Sequence, residues 1–271
     1  NDLISYWRFD EGSGDTAFDQ GPYNLDGTLN GASWTDGRIG GALYFDGNDY
    51  VTVGQQAALR VADGLTISAW VKPGSFDDNQ EGIAGYAYDT GPNESGYWLQ
   101  MNANGSFGFA LDVTPGDMKF IETAGGYNTN TWYYVTATYD GMNQKLYIDG
   151  DSVAVSSATG NVNYTSNAKL ALGTHPYDQA SISEESFNGL IDEVSIWNVA
   201  LNQEQIQSIM SSELSGDETG LVAYWNFNES AGDMLYDLSG NGNDGTIYGA
   251  TWSDDSPITS TILAYSPNAN Y

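Results

Sequence analysis

The sequence predicts an all-β chain, an antiparallel β-sandwich carrying one short helix near residues 202–211. Three observations predict it. Apolar and polar residues alternate with a period of two along many short segments. Gly, Asn and Asp clusters interrupt those segments about every 8–12 residues, the rhythm of a sandwich. The composition, with 33 Gly, 19 Tyr and 8 Trp against only 7 Lys plus Arg, suits short strands joined by tight turns.

Element by element, the alternation is clearest in LTISAWVKP (65–73), which sends Ile67, Ala69 and Val71 to one side and Thr66, Ser68 and Trp70 to the other. WYYVTATYD (132–140) repeats the pattern. The GMN turn and QKLYIDG (144–150) that follow read as the return arm of a hairpin. Further strands are expected at 42–46, 50–53, 96–101, 106–111, 169–173 and 190–198. Only LNQEQIQSIM (201–210) has a helical period, with Leu201, Ile206, Ile209 and Met210 on one face. One helix is far too few for a parallel α/β fold. The chain also opens twice: LISYWRFD (3–10) and FDQGPYNLDGTLNGASWTDG (18–37) return as LVAYWNFN (221–228) and YDLSGNGNDGTIYGATWSDD (236–255) at a constant offset. Two strands cannot bury both faces alone. Residues 1–212 are therefore expected to form one domain, with 213–271 docking on it as a partial repeat.

A formal charge of −29 excludes a nucleic-acid reader and disfavours adhesion to an anionic membrane. No apolar run reaches the 18–20 residues or so of a membrane span. The absence of Cys leans towards export without disulfides, and NDLISYWRFD is not a signal peptide, so the chain reads as mature or excised and its location as extracellular or cell-surface.

In order, ISYWRFDEGSGDTAFDQ, GGALYFDGNDYVTV, LTISAWVKP, WYYVTATYDG with LYIDG, and FNGLIDEVSIWNVALNQEQI resemble laminin-G-like domains of bacterial secreted proteins, within the concanavalin A-like lectin/glucanase superfamily. The resemblance covers about residues 3–210. It implies a jelly roll of two facing antiparallel sheets, usually with calcium and often with carbohydrate or protein binding.

No catalytic residues are expected. The glucanase hallmark, E-x-D-x-E on one strand, is missing. In IDEV (191–194), regular alternation would send Asp192 and Glu193 to opposite faces. His175 is the only His, and no Cys nucleophile or G-x-S-x-G elbow is present. Calcium is the expected cofactor, because Asp and Asn oxygens on turns are its natural ligands. Candidates are Asp237 and Asn241 in DLSGNGND, Asp19 and Asp26 in DQGPYNLD, and Asp46 and Asp49 in FDGNDY; these residues are equally good turn formers. Asp192 joins them as a carboxylate in a strand expected to be mostly buried. By the resemblance, a structural cation would lie near Asp19, Asn24, Asp26 and Asp192.

For sugar binding, the aromatic and acidic stretch 75–98 supplies Tyr86, Tyr88, Asp89, Tyr97 and Trp98, and THPYDQ (174–179) adds His175, Tyr177 and Asp178. Core packing of Tyr86 and Trp98 is the alternative. The sequence thus points to a non-catalytic, calcium-stabilised carbohydrate-binding module attached to a secreted bacterial polysaccharide-active or surface protein, its partner a glycan. An adhesion or spacer domain binding protein is the second reading and a jelly-roll hydrolase or lyase the third.

Overall fold

The computed structural model describes residues 3–37, 41–55, 57–76, 80–88, 94–115, 117–175, 185–211, 214, 234–235 and 245–250. In chain order the strands are β1 (Leu3–Trp7), β2 (Gly14–Ala17), β3 (Gly27–Asn30), β4 (Ser33–Asp36), β5 (Gly41–Asp46), β6 (Tyr50–Gly54), β7 (Leu65–Pro73), β8 (Glu81–Tyr88), β9 (Ser95–Met101), β10 (Phe107–Asp112), β11 (Met118–Glu122), β12 (Tyr133–Tyr139), β13 (Asn143–Ile148), β14 (Asp151–Ser157), β15 (Lys169–Leu172), β16 (Asn188–Trp197), β17 (Met234–Leu235) and β18 (Gly245–Ala250). One sheet runs β14-β13-β12-β7-β16-β5-β4, with β1 also paired to β16; the other runs β11-β10-β9-β8-β15-β6-β3-β2-β18-β17. All strand pairings within the two sheets are antiparallel. This is the expected sandwich.

The core lies between the sheets and is built by the two-residue period. Ile67, Ala69 and Val71 of β7, Val135 and Ala137 of β12, and Ile191 and Ile196 of β16 come from one side. Tyr97 and Leu99 of β9, Phe107, Phe109 and Leu111 of β10, and Leu170 and Leu172 of β15 come from the other, and all are fully buried. The outer face of the first sheet is also covered. There Tyr134 donates to Ser68 (2.9 Å), Ser68 and Ser195 share a hydrogen bond (2.7 Å), and the Trp197 indole donates to Ser195 (2.9 Å). Burial pushes the Tyr134 hydroxyl up to about 12, so it serves as a permanent donor.

Helix α1 (Gln203–Ile209) starts where expected. Asn202 Oδ1 accepts from Gln205 N (3.0 Å) while Gln205 Oε1 accepts from Asn202 N (2.9 Å), a reciprocal cap that satisfies two end donors. Ile206 is its fully buried anchor.

The opening strand of the C-terminal repeat, 221–228, lies outside the described residues. Its second and third strands are described, and they copy the first repeat in register. Thr16↔Thr28 and Ala17↔Gly27 join β2 to β3; Met234↔Thr246 and Leu235↔Gly245 join β17 to β18, at the same sequence offset. β18 then pairs with β2, through Ile247↔Asp15 and Ala250↔Gly14, so the second hairpin continues the sheet beside the first.

Candidate functional site

Side chains on the outer face of the ten-stranded sheet are set by strand parity. Trp98 and Gln100 on β9 face away from the core residues Tyr97 and Leu99. Opposite them in register stand Ala110 and Gly108 on β10, which in turn face Phe120 and Glu122 on β11. Ala87, Trp98 and Ala110, with Met118 against them, form an apolar cluster separate from the main core. Small residues make this floor low. A Cβ on Gly85 would lie 2.3 Å from the Trp98 Cβ, and one on Gly108 would lie 2.7 Å from the Phe120 ring. The Phe120 ring therefore reaches across β10, and it is 42% exposed, which is unusual for a Phe on a sheet face.

A chain of hydrogen bonds crosses the same face. The Trp98 indole donates to Gln100 Oε1 (2.7 Å), and Gln100 Nε2 donates to Asn102 Oδ1 (2.6 Å). Asn102 Nδ2 donates to Ser106 Oγ (2.9 Å) and to Glu122 Oε2 (3.2 Å), and the Ser106 hydroxyl also donates to Glu122 Oε2 (3.2 Å). Each donor in the relay fixes the next acceptor, so Glu122 is held in place at the rim of a groove. That groove has a volume of about 450 Å³ and is lined by Gln80, Asn102, Ala103, Asn104, Phe120, Glu122 and Glu185. On the far side His175, itself buried, packs edge-on against Trp98 (5.4 Å) with Nδ1 3.4 Å from Glu185 Oε2.

Several sequence expectations are corrected by this arrangement. Tyr86 and Tyr97 are not ligand platforms. They are paired across β8 and β9 on the inner face, fully buried, and packed with Tyr164, on which Arg60 lies 5.9 Å from the ring centre. Tyr88 is half-buried at the core margin. His175 belongs to the outer-face cluster. Asp89, Tyr177, Asp178, Asp237 and Asn241 lie outside the described residues. Phe120, Gln100, Asn102 and Glu122 were not anticipated. The signal available was the alternation in MKFIE, which places Phe120 and Glu122 on one face opposite the small residues of FGFALD.

The carboxylates expected around a cation separate into different roles. Asp19 is fully buried, and its oxygens face donors: Oδ1 accepts from Tyr6 N and Gly21 N (2.9 Å each), Oδ2 from Leu25 N (2.9 Å) and the Ser5 hydroxyl (3.3 Å). Asp26 Oδ1 accepts from Asp19 N (2.9 Å), and Asn24 is exposed in the left-handed region (φ 50°). Asp19 thus closes its own loop through backbone N–H groups of Tyr6, Gly21 and Leu25.

Asp192 lies elsewhere, fully buried where a Cβ on Gly37 would come within 2.4 Å of its Oδ2. Regular alternation fails here. A bulge between Asp192 and Ser195 inserts one residue, and Glu193 takes φ 51°. Glu193 Oε1 meets Arg8 Nε at 3.3 Å, and Asp10 Oδ2 meets the same nitrogen at 3.4 Å, all three side chains buried. Asp46 and Asp49 share the β5–β6 turn. Asp46 N donates to Asp49 Oδ2 (3.0 Å); burial, reinforced by the Asp46 charge, raises the Asp49 carboxyl from 3.8 to about 6. Among the described residues, no group of three or more His, Cys, Asp or Glu is arranged to hold a metal.

Comparison with known proteins places the fold. A laminin-G-type family model of the concanavalin A-like lectin/glucanases superfamily matches residues 45–207, more than half of the chain. The chain belongs to this superfamily. Human pappalysin-1 is 29% identical over 199 residues, which is 66% of this chain but 11% of pappalysin-1; the mouse protein is 28% identical over 190 residues. The chain therefore spans about a tenth of the length of these relatives. Among solved structures, domain 4 of AbnA, an extracellular GH43 arabinanase of Geobacillus stearothermophilus in complex with arabinotriose, superposes with a TM-score of 0.54. Identity to it is 21%, and the match covers 76% of this chain and 97% of that domain. The receptor binding domain of botulinum neurotoxin mosaic serotype C/D gives 0.58 at 17% identity, covering 77% and 50%. Trypanosoma rangeli sialidase gives 0.54 at 16%, covering 80% and 34%. At these identities the likeness shows the sandwich fold alone, and the proteins that share it include both binding domains and enzymes.

Proposed function

We propose that this chain is a non-catalytic carbohydrate-binding module whose site is the outer-face groove of the ten-stranded sheet. The observation that carries the reading is the Trp98–Gln100–Asn102–Glu122 relay beside the exposed Phe120. An exposed aromatic ring next to oriented polar groups is what an amphipathic sugar ring requires. A sugar complex of a similarly folded arabinanase domain supports the same use of the fold. We further propose that the module is one part of a longer extracellular or cell-surface protein, as its small share of pappalysin-1 suggests. Calcium has no part in the groove in this reading.

A hydrolytic reading is favoured by one observation, the presence of two carboxylates, Glu122 and Glu185, on one groove. It asks that one of them be kept protonated by apolar surroundings. Glu122 receives two hydrogen bonds, from Asn102 and Ser106, which orient it as an acceptor towards a sugar hydroxyl, and Glu185 Oε2 lies 3.4 Å from His175 Nδ1. Affinity electrophoresis against arabinan, xylan and mixed-linkage glucan tests the proposal. Retardation that is lost in Phe120→Ala, without release of reducing ends, is the expected result. Turnover abolished by Glu122→Gln would establish the enzyme instead.

A further inference from the structure

We propose that the groove selects neutral polysaccharide and rejects chains bearing uronate or sulfate groups; the inference rests on the glycan reading of this site. The argument is a count of what the lining can donate and accept. Both hydrogens of the Asn102 amide are spent on Ser106 and Glu122, and its oxygen is taken by Gln100. Ser106 gives its proton to Glu122, and the Asn104 oxygen accepts from Ser106 N (2.9 Å). The relay therefore runs in one direction and ends on a carboxylate at an exposed position. The charged groups of the lining are two carboxylates, Glu122 and Glu185, beside the neutral amides of Gln80 and Asn104, so the groove carries negative charge only.

A sugar hydroxyl can donate to such acceptors. A uronate or sulfate oxygen has no proton to give, and meets like charge instead. Among the described residues lining the groove there is no Lys or Arg to reverse that sign. The formal charge of −29 adds a long-range repulsion of polyanions that salt would screen. Phe120 contributes apolar contact of the same value to either kind of chain, so discrimination rests on the carboxylates.

The full chain is titrated against the neutral polymers above and against alginate, polygalacturonate and heparin, with binding followed by calorimetry. The neutral polymer that binds best is then oxidised at its primary hydroxyls to the corresponding uronate and titrated again. Oxidation should weaken binding by at least about tenfold. Raised salt and Glu122→Gln should each narrow that gap, a response that loss of a hydroxyl alone would not give. Binding of an anionic polymer as tight as that of the neutral ones overturns the selectivity while leaving the glycan reading in place. Equal binding before and after oxidation does the same. Binding of no polymer of either class removes the glycan reading and this inference with it.

Discussion

Asp19→Asn is the substitution that most sharply tests how the N-terminal loop is held. The side chain keeps its size, but one of its two oxygens becomes an NH₂ group. If the amide nitrogen takes the Oδ2 position, it faces Leu25 N, a buried donor that then has no acceptor there, while the Ser5 hydroxyl can turn and accept. The two bonds at Oδ1, from Tyr6 and Gly21, survive but lose their charge assistance. One buried N–H left unsatisfied and two weakened bonds together cost about 3 kcal/mol. In a domain of this size that lowers the melting temperature by roughly 6–12 °C. Calorimetry in excess calcium and in chelator is the assay. Because the carboxylate is engaged by N–H and O–H donors, the same loss is expected in both. A wild-type melting point that falls in chelator, with the Asp19→Asn difference vanishing there, would refute the self-closed loop and restore a cation to this position.

Other outcomes follow from the same structure. Asp49 has a raised carboxyl, so its ionisation opposes folding: stability should fall as pH rises from about 4 to about 6, and Asp49→Asn should flatten that slope in melting curves taken across the window. Arg8→Met leaves Asp10 and Glu193 buried around an apolar side chain and should cost about 3–5 kcal/mol in urea unfolding; adding Glu193→Gln should recover part of it, whereas simple additivity would contradict the ion pair. Asp15→Cys with Ile247→Cys, directly opposite in register in a chain without Cys, should form an intramolecular disulfide on mild oxidation; a thiol pair that stays reduced, or links two molecules, would contradict pairing of β18 with β2.

The architecture was legible because its signals are local. LTISAWVKP coincides with β7 residue for residue, since alternation and a closing Pro mark both ends. The cap at Asn202 needs only neighbours three residues apart. The site was less legible, for two reasons. Parity sorts a strand into two faces without saying which one turns inward, and in GYWLQM both faces carry an aromatic. Alternation alone therefore leaves Tyr97 and Trp98 interchangeable as the outward residue, whereas the structure buries Tyr97 against Tyr86 and Tyr164. The edge strand β11 reads poorly on its own, and the meaning of Phe120 and Glu122 depends on Gly108 and Gln100 across two strand pairings. Asp19 was visible as an acid in a turn, but its partners are backbone N–H groups, which no side-chain pattern records.

The bulge at Glu193 has a consequence for how this strand can change. Residues before and after it keep their faces: Ile191 stands opposite Val71 and Ile196 opposite Ile67, both pairs in the core. Glu193 is the supernumerary residue, so it occupies no place in the two-letter alternation that the rest of β16 must obey. A strand position normally has to choose between oil and water, whereas this one is exempt. A sequence could gain or lose the Glu193–Arg8 contact by a single-residue insertion or deletion without turning any neighbouring side chain over. Such a site is a place where one charge can be added to the wall of a sandwich as an independent unit, inherited or discarded apart from the core that surrounds it.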